Sequence, residues 1–164
     1  MTRIFLCIIS FVLTACSYQV QKANTSYPNS KYARENAALG LRYLRQGDTN
    51  HAMARLQAAF RQNPTDPIVI DATAYFFEKT GEINKANSLY MYALSMGAEQ
   101  RTANQNYGAF LCRNGYYQES IFYFRQAIRL PNSANTNDAD LAMNYCSQKM
   151  QHALGDQATW AYYI

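Results

Sequence analysis

Histidine is scarce in this chain: 164 residues contain two, His51 and His152, and neither has a carboxylate and a nucleophile at helical spacing on its own face. His51 falls just after a turn and reads as exposed, and His152 lies late in the last helical segment. No glycine-rich phosphate loop, zinc-ligand spacing or paired-acid motif is present. With these absent, the usual constellations for catalysis, metal binding and cofactor binding are missing. The expectation is no enzyme, no cofactor, no metal and no small-molecule substrate. Charge of one sign does not accumulate either. The formal net charge is +4, with basic and acidic residues interleaved, which argues against nucleic acid as a partner. Beyond the first residues no apolar run approaches membrane-spanning length. The length suits one modest domain with a real core.

What is present begins with a targeting signal. Met1–Arg3 supplies one positive charge, and Ile4 to Leu13 is an almost unbroken apolar run too short to span a bilayer permanently. Leu13-Thr14-Ala15-Cys16 follows, a branched residue and two small ones before a cysteine. This resembles the lipobox of bacterial lipoproteins, which implies cleavage of residues 1–15 and acylation of Cys16. An ordinary secreted protein cut near Ala15 is the alternative. Loss of Arg3 would lower the net charge to +3. Ser17, in place of the aspartate that tends to retain Gram-negative lipoproteins in the inner membrane, is compatible with export to the outer membrane. The expected location is the periplasmic face of that membrane, held by lipid. Each buried CH2 contributes about 0.8 kcal/mol, so several acyl chains on one cysteine anchor firmly without a spanning helix. Residues 16–32 read as a polar, lipidated tether containing Pro28. Its sixteen residues after Cys16 reach roughly 50 Å if fully extended.

Internal repetition dominates the remainder. Gly47, Gly81 and Gly115 are 34 residues apart, as are Ala52, Ala86 and Ser120, and Ala59, Ala93 and Ala127. Tyr43, Phe77 and Leu111 follow the same step, and so do Gly40, Ala74 and Gly108. That period belongs to the tetratricopeptide repeat. The small residues let helix backbones approach, and Gly47, Gly81 and Gly115 fit left-handed helix ends. Pro64 and Pro131 close second helices, while Met96-Gly97-Ala98 stands where the second repeat lacks a proline. The expected fold is an all-α, right-handed superhelical solenoid over residues 33–164. Repeats run 33–66, 67–100 and 101–134, with a partial, capping fourth over 135–164. In that last unit the register slips after Ala134. Asp140 to Leu154 reads as a helix, and Gly155-Asp156 repeats the turn chemistry of Gly47-Asp48.

The first helices of such a stack line a concave groove. Its candidate partner-binding positions are Arg34, Leu41, Leu44, Arg45, Ile68, Asp71, Tyr75, Glu78, Gln105 and Arg113. Any one of them, Leu44 or Tyr75 for example, could instead pack against a neighbouring helix. The cysteines divide by context. Cys7 leaves with the leader and Cys16 takes lipid, so Cys112 and Cys146 remain as an even pair in an oxidising compartment. They lie on first helices of consecutive repeats, where equivalent positions are usually farther apart than the 7 Å or so that a bridge allows. Two buried thiols acting as small apolar residues are the alternative to a bond.

Asn106-Tyr107-Gly108-Ala109-Phe110-Leu111-Cys112, followed by Gly115-Tyr116-Tyr117 and Glu119, resembles the signature of the type IV pilus biogenesis and stability lipoproteins, the PilF/PilW pilotin group. The lipobox, Leu39-Gly40-Leu41-Arg42-Tyr43-Leu44 and Gln46-Gly47-Asp48 extend the resemblance over most of the chain. It implies a disulfide linking successive repeats, which maps onto Cys112 and Cys146. It also implies a non-enzymatic role: bringing the secretin to the outer membrane and helping it multimerise, or keeping pili stable. The implied partner is the secretin or another pilus-assembly protein. Two departures stand out. Family members often carry more repeats, and Asn144-Tyr145-Cys146 lacks the usual glycine before its cysteine. A general periplasmic adaptor lipoprotein for envelope assembly or cell-wall enzymes would share the same architecture.

Overall fold

The structure, a computed structural model, describes residues 30–97, 100–130 and 137–160. They form helices α1 (Ser30–Arg45), α2 (Thr49–Gln62), α3 (Pro67–Lys79), α4 (Ile83–Ser95), α5 (Gln100–Arg113), α6 (Tyr117–Arg129) and α7 (Asn137–Trp160). Among the described residues there is no strand, and no helix is long and apolar enough to cross a membrane. The expected leader 1–15, the lipid site Cys16, tether residues 17–29 and Pro131 lie outside the described residues.

The fold is an all-α solenoid of helix-turn-helix repeats. α1/α2, α3/α4 and α5/α6 are three full pairs, and α7 opens a partial fourth. Three turns repeat one geometry. Gly47, Gly81 and Gly115 have φ of 79°, 84° and 84°, which only glycine adopts without strain. The Gly47 amide donates to Leu44 O at 3.0 Å, and the Asp48 amide to Tyr43 O at 3.0 Å. The bonds at Gly81 and Glu82 run to Glu78 and Phe77, and those at Gly115 and Tyr116 to Cys112 and Leu111. This paired closure satisfies carbonyls that a helix end otherwise leaves unbonded. The large register Tyr43/Phe77/Leu111 therefore accepts the closing bond in every repeat. Helix starts are also chemically marked: the Asp48 carboxylate accepts from the His51 amide at 3.1 Å, and Asp66 from the Ile68 amide at 3.0 Å, with Pro67 opening α3. α4 ends against Gly97, φ 69°, whereas α2 is followed by Pro64.

Small residues on the first helix of each pair face large ones on the second. A methyl group built on Gly40 would lie 2.8 Å from Leu56 Cγ and 3.2 Å from the Ala52 carbonyl oxygen. One on Gly108 would lie 3.2 Å from the Phe124 ring. Ala74 shares a core cluster with Tyr90 in the middle pair. Leu56, Tyr90 and Phe124 are themselves 34 apart and buried, a register not anticipated from the sequence. Ala52, Ala86 and Ser120, fully buried, let the paired helices cross closely. α1 packs on α3, α3 on α5 and α5 on α7, so the first helices form one row and the core continues from pair to pair.

Three expectations are corrected. Ser30–Tyr32, assigned to the tether, already belong to α1. The Gly155-Asp156 turn does not form, because α7 continues to Trp160. In the three real turns the residue four before the glycine is Tyr43, Phe77 or Leu111, whereas Gln151 precedes Gly155. The apolar contact that accompanies this kind of helix end is therefore missing. Nor does the register slip before α7: Ala142 follows Gly108, and Cys146 follows Cys112, by 34 residues. Cys112 and Cys146 form a disulfide with Cα atoms 5.8 Å apart. It lies buried beside Phe124, with Ala109, Tyr117, Ala142 and Met143 around it.

Candidate partner-binding cleft

The row of first helices leaves a concave cleft of about 410 Å³ spanning α1, α3 and α5. Its apolar floor comes from Leu41, Ile68, Ala72, Tyr75 and Ala109. Leu41, Tyr75 and Ala109 are one register of the repeat, so the floor carries the same 34-residue step as the turns.

Polar groups tie the floor together across α3 and α5. Arg113 donates from Nε to Glu78 Oε1 at 2.6 Å and from Nη2 to Oε2 at 2.8 Å. This two-pronged pairing holds the carboxylate more firmly than a single contact could. The Glu78 side chain is 6% exposed and that of Arg113 is 40% exposed, so the acid is enclosed while the cation faces the cleft. The Tyr90 hydroxyl donates to Glu78 Oε2 at 3.4 Å. Asn106 Nδ2 donates to Asp71 Oδ2 at 2.6 Å. The Tyr75 ring lies 5.2 Å from Lys79 Nζ and 5.8 Å from the Arg113 guanidinium, distances at which its face attracts a cation. Burial first, and then the Glu78 charge, push the Tyr90 hydroxyl well above its ordinary value of 10.0. The hydrogen bond to Glu78 holds Arg113 above its ordinary value. Tyr90 thus stays a neutral donor and Arg113 a cation at physiological pH.

Of the positions named from the sequence, the cleft gathers Leu41, Ile68, Asp71, Tyr75 and Arg113, with Glu78 fixed against Arg113. Arg34 turns away: its Nε donates to the buried Asp66 carboxylate at 2.7 Å. Leu44 packs on the first core cluster, Gln105 is half-buried and does not line the cleft, and Arg45 is exposed at the end of α1. Ala72, Tyr90, Thr102, Asn106 and Ala109 also line it and were missed. Ala109 and Thr102 could have been found by carrying the positions of Tyr75 and Ile68 forward one repeat, and Asn106 follows Ala72, itself missed, by the same step. Tyr90 could not, because it belongs to a second helix. In the neighbouring repeats its position holds Leu56 and Phe124, and only tyrosine adds a hydroxyl that emerges beside Glu78.

The cleft presents an apolar floor and fixed charges. His51 Nδ1 lies 2.6 Å from Asp48 Oδ2 and its ring stacks on Tyr43, a local arrangement at the first turn. Cys16 lies outside the described residues, and among those described no three His, Cys, Asp or Glu side chains are grouped to hold a metal.

No protein-family model matches the chain. An uncharacterised protein of Haemophilus influenzae is 27% identical over 146 residues, covering 87% of this chain and 80% of that protein. The type IV pilus assembly protein PilF of Pseudomonas aeruginosa is 32% identical over 82 residues, 50% of this chain and 32% of that protein. Among solved structures, Pseudomonas aeruginosa PilF matches with a TM-score of 0.64 at 25% identity, over 75% of this chain and 56% of its own. PilW, described as a widely conserved type IV pilus biogenesis factor, gives 0.64 at 27% identity, over 73% and 55%. The chain spans about half the length of these two solved relatives. In fold and in sequence it is similar to the helical-repeat type IV pilus biogenesis factors PilF and PilW.

Proposed function

We propose that this chain is a lipid-anchored scaffold of type IV pilus biogenesis. Its concave cleft binds the secretin, and its acylated Cys16 brings that cargo to the periplasmic face of the outer membrane, where multimers form or assembled pili are stabilised. The observation that carries the reading is the cleft itself: an open, apolar-floored surface spanning three repeats, on a fold similar to two pilus biogenesis factors. Its charged groups are already fixed by Glu78, Arg113 and Tyr90, so little ordering remains to be done when a segment docks. The role is one of binding and delivery, with no reaction assigned to the cleft. Delivery needs an address as well as a surface, which the lipid supplies.

Deleting the chain should deplete secretin multimers from the outer membrane, and Cys16→Ala should do the same by removing the lipid site. Normal multimers in the deletion strain would overturn the proposal. One observation favours a second reading, a general periplasmic adaptor: the match reaches 56% and 55% of the two solved pilus factors' own chains. Crosslinking followed by affinity capture separates the two. Secretin and pilus-assembly proteins support the first reading; barrel-assembly factors or cell-wall enzymes support the second.

A further inference from the structure

We infer that the cleft is built for an extended acidic segment, with carboxylates at every third residue seated against Arg45, Lys79 and Arg113. This deepens the reading of the cleft as a partner-binding surface and rests on it. The three cations are 34 residues apart, in the last turns of α1, α3 and α5, and all are exposed. Each follows a cleft-floor residue by four positions: Leu41 precedes Arg45, Tyr75 precedes Lys79, and Ala109 precedes Arg113. Residues four apart share a helix face, so the cations form a rim over the apolar floor. The negative end of a helix dipole favours a cation in any last turn, but it does not dictate which face that cation takes. Among the described residues, Glu78 is the acidic side chain paired with any of the three. Lys79 and Arg113 converge on Tyr75. Asp71, one turn before Tyr75, would repel a carboxylate placed deeper, which confines the acidic register to the rim.

Spacing selects the conformation. Packed helices lie about 8–10 Å apart, so the rim offers one cation per step of that size. A polyproline-type chain rises about 3.1 Å per residue with three residues per turn, returning to the same face after about 9 Å. A β-strand returns after two residues and about 7 Å, which falls short. A segment with acidic residues at every third position and apolar ones between them therefore matches both rim and floor.

The test is fluorescence anisotropy of the full chain in detergent with a labelled synthetic peptide of about twelve residues. It carries glutamate at every third position in a proline and leucine background. Controls carry lysine at the same positions, or glutamate at every second position. The every-third glutamate peptide should bind at least about tenfold tighter than its lysine counterpart. Arg45→Glu and Lys79→Glu should each weaken it about fivefold. Both positions are exposed, and circular dichroism checks that the helices persist in the variants. Equal binding of glutamate and lysine peptides, or indifference to both charge reversals, would overturn the inference; equal binding of the every-second peptide would overturn its spacing. If the peptides fail while Leu41→Asp still releases a partner crosslinked in cells, the charge rule falls and the cleft stands. If that partner ignores Leu41→Asp and Tyr75→Ala, the reading of the cleft itself falls.

Discussion

The two ends of the solenoid are held by different chemistry. A terminal helix in a stack has a neighbour on one side only, so part of its stabilisation must come from something other than the repeating core. At the amino-terminal end that something is a buried carboxylate. Asp66, with its side chain 1% exposed, accepts from Arg34 Nε at 2.7 Å, from Ser30 Oγ at 3.0 Å and from the Ile68 amide. One group thus caps α3 and ties α1 to it, and Asn36 adds a bond from Nδ2 to Gln62 Oε1 at 3.0 Å. At the carboxy-terminal end the tie is covalent, Cys112 to Cys146, joining α7 to α5. The first device needs ionised groups and resists reductant; the second needs an oxidising compartment and ignores pH. At the proposed periplasmic location both devices are available.

Breaking the covalent end should have the largest effect. A bridge closing a loop of 34 residues stabilises by about 3–4 kcal/mol through the unfolded chain. Cys112→Ser with Cys146→Ser, or reduction, should therefore lower the melting temperature. Hydrogen exchange should rise in α7 and the adjoining face of α5 while α1–α3 keep their protection. Uniform loosening would show that the staple is not local. At the other end, Asp66→Ala removes three hydrogen bonds together, one of them the cap of α3, for about 2–3 kcal/mol. Its exchange signature should be the mirror image, confined to α1 and the start of α3. Because Arg34 is half exposed and can return to water, the loss should fall short of that for a fully enclosed pair.

A smaller effect compares the close crossings of the two end repeats. Gly→Ala within a helix gains about 1 kcal/mol of propensity, while overpacking costs about 1–3 kcal/mol. At Gly40 the new methyl would meet Leu56 Cγ at 2.8 Å and a backbone carbonyl, neither of which yields easily. At Gly108 it would meet the Phe124 ring at 3.2 Å, which a slight tilt relieves. Chemical denaturation should give a net loss of about 1 kcal/mol for Gly40→Ala and a change near zero for Gly108→Ala. The reverse order would mean that the disulfide-linked end is the less tolerant one.

Much of this architecture is legible in the sequence because its marks are residue identities. A turn that needs positive φ leaves glycine, and a tight helix crossing leaves glycine, alanine or serine, so Gly47/Gly81/Gly115 and Ala52/Ala86/Ser120 are visible at once. Leu56/Tyr90/Phe124 escaped because that position requires bulk rather than one side chain, and three different residues supply it. The turn expected at Gly155 shows the opposite hazard: the glycine-aspartate pair recurs, but the apolar partner four residues earlier is Gln151. About half of the cleft was readable from the periodicity of the first helices. The rest depended on which way side chains turn. Arg34 went to Asp66, and Tyr90 crossed from a second helix to reach Glu78.

Ser120 offers the smallest and most local test of the two ends. It occupies the crossing position held by Ala52 in the first pair and Ala86 in the second, and all three are fully buried. Among the described residues its hydroxyl has no hydrogen-bond partner. A buried hydroxyl left unbonded is destabilising, and alanine has nearly the same shape without it. Ser120→Ala should therefore stabilise the chain by about 0.5–1 kcal/mol, read as a rise in denaturation midpoint at unchanged slope. If the gain appears in the wild-type background and persists after Cys112→Ser with Cys146→Ser, the crossing of α5 and α6 is independent of the staple. If it vanishes without the disulfide, the bridge itself presses α6 into the position where that hydroxyl is enclosed, and the covalent end acts one helix deeper than α7.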